Sequence, residues 1–158
     1  MSGLTSAALR ERYADLGVEV REPATESGEV RIAVEAASAR ILLERLRDDE
    51  ACAVRRLVDL TVIDRGPEVA KLEVVYRLYS SEFQTSLRVH AELVSGDDPA
   101  TIDSVTALFP VANWLEREAF DLFGIVFKGH PDLRRLLLEP EFEGNPLRRT
   151  TVGAEGPS

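Results

Sequence analysis

Cysteine is almost missing from this sequence, with Cys52 standing alone. One thiol excludes a disulfide framework and any thiolate cluster for zinc or iron–sulfur. If the chain works beside redox centres, other chains must hold them. Basic charge is also short: a net charge of −9 and a pI near 4.8 argue against nonspecific nucleic-acid binding, which uses Lys and Arg to displace counterions. No apolar run approaches the roughly 20 residues of a membrane-spanning helix. The opening "MSGLTSAALRERYADLG" lacks the basic start, long apolar middle and small-residue cleavage site of a secretory signal, so a cytoplasmic location is expected. Also absent are a nucleophile elbow, a phosphate-binding glycine loop, a catalytic-triad spacing and any internal repeat.

What remains is a chain of 158 residues, the size of one domain with one core. Residues 4–15 read as a short helix, and "VEVRE" (18–22) as an edge strand. After the polar link 22–28, "EVRIAVEA" turns Val30, Ile32 and Val34 inward as a half-buried strand does. Ser38 is the expected cap of a second helix running to about Asp48, with Ile41, Leu42, Arg45 and Leu46 at helical spacing. Three β-rich runs occupy 56–64, 71–80 and 85–94. In the last, Leu87, Val89, Ala91 and Leu93 face one way and Arg88, His90 and Glu92 the other. Their short connections predict antiparallel pairing, because a parallel crossover needs a dozen or more residues. The expected fold class is α+β, a two-layer domain with helices on a mixed, largely antiparallel sheet, followed by an extended C-terminal arm. Boundaries are expected at 1–127 for the core, 128–149 for the arm and 150–158 for a disordered tail.

The densest chemistry lies in "NWLEREAFDLFGIVFKGHPDLRR", Asn113 to Arg135. "DSVTALFP" before it reads as a short helix or turn stopped by Pro110. Asn113 is then expected to cap a helix with Glu116 in a capping box, and Gly124 to end that helix in the left-handed conformation. Glu118 and Asp121 share a helix face with Trp114 one turn earlier, and His130 lies beyond them. These residues allow an acid–base pair with a proton shuttle, or a metal site, yet "ExxD" with a distant histidine is not a zinc-type spacing. A simpler role for His130, preceding Pro131, is to donate to a backbone carbonyl and fix a turn. Phe120 and Phe123 fit core packing.

Interface is the third reading. Asn113 to Arg149 is nearly charge-balanced, with Glu116, Glu118, Asp121, Asp132, Glu139, Glu141 and Glu143 against Arg117, Lys128, Arg134, Arg135, Arg148 and Arg149. The acidic surplus therefore lies elsewhere. Arginine forks with aromatic anchors such as Trp114, Phe127 and Phe142 are the residue types enriched at the energetic centres of interfaces; a solvated surface is the equal alternative for the arginines.

Taken in order, Ala112-Asn113-Trp114, Glu116-Arg117-Glu118, Asp121-Leu122-Phe123-Gly124-Ile125 and Gly129-His130-Pro131-Asp132-Leu133-Arg134-Arg135 resemble the signature of the C-type subunit of respiratory complex I, the NADH-quinone oxidoreductase. The resemblance extends over about residues 1–149, most specifically in this block. It implies a non-catalytic peripheral-arm subunit on the cytoplasmic side of the membrane, reaching the membrane only through its complex. It implies no cofactor bound by this chain, with NADH, quinone, FMN and iron–sulfur clusters held elsewhere in the assembly. The implied partners are the quinone-site subunit, of the D type, and iron–sulfur subunits. Complex I-like hydrogenases and F420H2 dehydrogenases use the same module, and a stand-alone metal-binding enzyme on Glu118, Asp121 and His130 is the distant rival. Glu116, Arg117, Glu118 and Asp121 are expected to form a charged patch. Gly129, His130, Pro131, Asp132, Arg134 and Arg135, continued by Arg148 and Arg149, are expected to form the arm. Gly144-Asn145-Pro146 and the run from "NPLRR" into "TTVGAEGPS" depart from the family pattern and imply a shortened docking tail.

Overall fold

The computed structural model describes residues 4–23, 28–65, 72–93 and 99–134. Thr5 opens helix α1 (Ser6–Arg12), its hydroxyl accepting from the Ala8 amide at 3.3 Å. A 3-10 turn at Ala14–Leu16 closes on Gly17, whose φ of +69° suits a residue without a Cβ. Strand β1 (Glu19–Arg21) lies at a sheet edge beside β2 (Val30–Glu35), which buries Ile32 and Val34.

Helix α2 (Ala36–Asp48) continues from β2 without a break. Glu35 stands at its cap with no side-chain hydrogen bond, and Ser38 lies inside the first turn. The expected Ser38 cap is therefore wrong: the strand delivers an extended residue straight into the helix, leaving no loop for a serine to close. The buried stripe is Ala39, Leu42, Leu43 and Leu46, while Ile41 is 50% exposed. Arg45 faces outward, bonded to Asp15 at 2.8 Å and stacked 4.9 Å above the Tyr13 ring, and so ties α1 to α2.

Strands β3 (Arg56–Asp64), β4 (Leu72–Ser80) and β5 (Thr85–Glu92) form the expected antiparallel meander. A bulge between Leu57 and Asp59 shifts the β3 register. β5 also pairs with β2, in parallel, giving the order β1-β2-β5-β4-β3. The mixed, largely antiparallel sheet is as expected. Inward residues Ile32, Val34, Val74, Tyr76, Leu78, Leu87 and Val89 form one core with Leu9, Leu42, Leu46, Ala112 and Ala119 from the helices. Val75, on the opposite face of β4, is buried yet outside that core. All three helices therefore cover the same face.

A second small sheet was not expected. β6 (Thr101–Asp103) and β7 (Val126–Lys128) pair in parallel, joined through helix α3 (Ala112–Phe123). Asp103 belongs to β6, and the residues after it form a turn in which the amides of Leu108 and Phe109 reach the Val105 carbonyl. Three-residue strands are too short to show alternation, so only pairing reveals them. The arm is described as far as Arg134; Arg135, Phe142, Arg148, Arg149 and the tail lie outside the described residues.

Candidate partner interface

Helix α3 begins on a ready-made scaffold. The amides of Ala112, Asn113 and Leu115 reach the carbonyls of Phe109, Pro110 and Val111 at 2.9, 3.1 and 3.5 Å. First-turn amides that a cap would otherwise satisfy are taken up by the preceding turn. Val111 occupies the cap with helical φ and ψ and no side-chain bond. The expected capping box of Asn113 and Glu116 is thus overturned. Gly124 does end the helix as expected, at φ 76° and ψ 17°, its amide bonded to the Phe120 carbonyl at 2.9 Å.

Relieved of capping, Glu116 turns inward and is fully buried. Its Oε2 accepts from the Val105 amide at 2.9 Å and the Ser104 hydroxyl at 3.2 Å. Burial pushes its carboxyl above the usual range, opposed in turn by those two hydrogen bonds and by nearby His130. Glu116 Oε1 and the Tyr76 hydroxyl are both buried without a protein hydrogen-bond partner. Tyr76 is raised by burial first and then by the carboxylates of Glu116 and Asp103. Glu116 therefore braces α3 against the turn after β6. Asp121 is fully buried as well, so the expected surface patch of Glu116, Arg117, Glu118 and Asp121 loses two of its members to the interior. Arg117 and Glu118 are half-buried, and the Arg117 Nε has no hydrogen-bond partner.

The outward side of α3 is carried by Trp114, 55% exposed, beside Val111 at 50%. Asn113 is half-buried and contributes its backbone rather than its side chain: its carbonyl lies 3.0 Å from His130 Nε2. His130 Nδ1 accepts from the Asp132 amide at 2.9 Å. An N–H pointing at Nδ1 leaves the ring proton on Nε2, where it donates to the Asn113 carbonyl. His130 thus fixes the turn by donating to a backbone carbonyl, the simpler of its expected roles, and pins the start of the arm to α3. Gly129 reaches φ +84° just before it, with nothing within 4 Å of where a Cβ would stand. Pro131, Asp132 and Arg134 are exposed, Arg134 paired to Asp132 at 3.0 Å. Phe127, expected as an interface anchor, is instead buried at 1% exposure in the core, while Phe120 and Phe123 pack against the core as expected.

Glu118, Asp121 and His130 do not converge: among the described residues no three His, Cys, Asp or Glu side chains are grouped to hold a metal ion. Sequence reasoning did not single out Ser104, Val105 or Tyr76 as partners of this region. One signal was available, because Glu116 lies on the same helical stripe as the small apolar Ala112 and Ala119.

The fold is shared with chains of solved structures. The trypsin-resistant fragment of Nqo5 superposes with a TM-score of 0.60 at 28% identity, covering 80% of this chain and 98% of that one. A chain of the membrane-bound sulfane sulfur reductase, an archaeal respiratory membrane complex, superposes at 0.70, covering 85% and 78%; its 22% identity establishes the fold alone. The chain belongs to the family of the respiratory-chain NADH dehydrogenase 30 Kd subunit, matched over residues 32–156. The C-type subunit of NADH-quinone oxidoreductase from Caulobacter vibrioides is 48% identical over 122 residues, 77% of this chain and 60% of that protein. The corresponding C-type subunit of Methylobacterium radiotolerans is 42% identical over 144 residues, 90% and 66%. The chain spans about 60 to 66% of the length of these curated relatives. Among the described residues no helix is long and apolar enough to cross a membrane.

Proposed function

We propose that this chain is a peripheral-arm subunit of a NADH-quinone oxidoreductase, a docking element on the cytoplasmic side that supports the quinone-site subunit. In this reading it lies beside iron–sulfur subunits and supplies no catalytic residue or cofactor ligand. NADH, FMN, the clusters and quinone are handled by other chains, which carry electrons to quinone and couple the reaction to proton translocation. The carrying observation is the pairing of exposed Trp114 on α3 with an arm that His130 ties to the same helix. A large aromatic beside a pinned, charged strap costs little entropy to order on binding. Both His130 ring nitrogens are engaged by backbone, which weighs against the rival metal enzyme. The names of the curated relatives favour the NADH-linked complex over the hydrogenase and F420H2 forms.

Co-purification in mild detergent tests the proposal. Wild-type chain is expected to bring the quinone-site subunit with it. Trp114→Ala, at an exposed site, is expected to lower the yield of intact complex by tenfold or more, the scale of a hot-spot loss of about 2 kcal/mol, while the isolated chain keeps its melting temperature. Arg134→Ala is expected to reduce yield as well, because it leaves a partner carboxylate without its fork. Equal yields for wild type and both variants overturn the docking role.

A further inference from the structure

The sheet face opposite the helices carries its charges in stripes that run across the strands. Register sets Arg21, Arg31, Arg88 and Arg77 side by side on β1, β2, β5 and β4. Two residues along, Ala33, His90 and Val75 form a low row on β2, β5 and β4, with Glu19 beside Ala33 on β1. Two further on, Glu35, Glu92 and Glu73 form an acidic row. Like charges directly opposite one another weaken strand pairing, so sheet stability alone does not favour this order. Relief within the chain is partial. Arg77 and Arg88 share Glu29, at 2.8 and 2.7 Å, and Arg21 reaches Glu19 at 3.0 Å. Arg31 is exposed and forms no ion pair among the described residues. The acidic row is better served, since Glu73 meets both Arg65 and His90.

Between the rows lies an open cavity of about 330 Å³, with Arg21 and Arg31 on one wall, Glu73 and Glu92 on the other, and Ala33 and His90 between them. The two charged rows are four residues apart along each strand, roughly 13 Å at 3.3 Å per residue, and an α-helix with its side chains is about 10–12 Å wide. Neighbouring strands place the arginines about 4.8 Å apart, close to the 5.4 Å rise of one helical turn. A carboxylate once per turn along one edge of a helix would therefore meet successive arginines in register.

We infer that this groove receives a helix of a neighbouring subunit, lying across the strands, with an Asp or Glu on successive turns facing Arg21 and Arg31. The inference rests on the proposed role as an assembled subunit and adds a second contact surface, on the face away from α3. Charge complementarity selects the occupant, and Arg31 is its anchor.

The test uses the Arg31→Lys variant in the purified assembly, treated with a carbodiimide. Coupling condenses the lysine amine with a carboxylate, forming an amide with loss of the activated oxygen as a urea. The expected product joins position 31 to an aspartate or glutamate in a helix of another subunit. Alongside it, phenylglyoxal is expected to modify Arg31 in the isolated wild-type chain at least tenfold faster than in the assembly. Crosslinks confined to this chain's own Glu19 or Glu29 overturn the inference, as does equal labelling in both states. Protection of the isolated chain by inorganic polyphosphate, without an intersubunit crosslink, would reassign the groove to a small anion and also overturn it. If the chain enters no assembly at all, it is the proposed function that fails, and co-purification reads that separately.

Discussion

Glu116 shows how far one residue can depart from its sequence context. Followed by Arg117 and Glu118 near the start of a helix it reads as a capping or surface carboxylate, yet it is enclosed and held by the Val105 amide and Ser104 hydroxyl. Its stability contribution has a definite sign. Burial raises the folded carboxyl above its ordinary 4.5, so the folded chain retains a proton that the unfolded chain has released. The contribution is fully present below about 4.5 and is lost as pH rises through the raised folded value. Glu116→Gln keeps an acceptor for Val105 without the titration. It is expected to flatten the stability profile above pH 4.5 and to match or exceed wild type at pH 7. Glu116→Ala strands the buried Val105 amide and is expected to cost about 1–3 kcal/mol. Urea unfolding across pH checks both variants; a Gln variant with the wild-type slope would contradict the assignment.

At the scale of elements, boundaries set by backbone chemistry were legible and those set by neighbours were not. Gly124 announced the end of α3, because a left-handed terminator favours a residue without a Cβ. Gly124→Ala is expected to cost about 1 kcal/mol, seen as a lower unfolding midpoint in denaturant with unchanged slope. The meander β3-β4-β5 was legible from alternation and short links. The starts of α2 and α3 were misread because α2 follows β2 without a break and the first amides of α3 are taken by carbonyls of the turn before it, so neither start is closed by a side-chain cap. β6 and β7 were invisible because three residues carry no period, and each exists as a strand only through the other. Phe120 and Phe123 pack against the core as expected, whereas Phe127, expected as an interface anchor, is enclosed, because the short β7 strand turns it inward beneath α3.

For the whole molecule, the helices share one face and one core, so damage there should propagate. Leu42 is fully buried in α2; Leu42→Ala is expected to cost about 2–5 kcal/mol and to lower the melting temperature of every element together. Calorimetry with a probe in β1 and another in α3 checks this, and separate transitions would contradict it. The open face and the arm are the parts of the surface that a single core does not explain, and they are where partners are proposed. Sequence by itself determined the fold class, the inward faces of β2 and β5, the close of α3 and the family, because these depend on local periodicity, backbone conformation and residue order. Only the tertiary structure decided that Glu116 and Asp121 are interior, that His130 binds the α3 backbone, and that scattered arginines from four strands stand in one row. Those facts depend on register and packing between segments far apart in the chain, and local pattern carries no record of which strand will lie beside which.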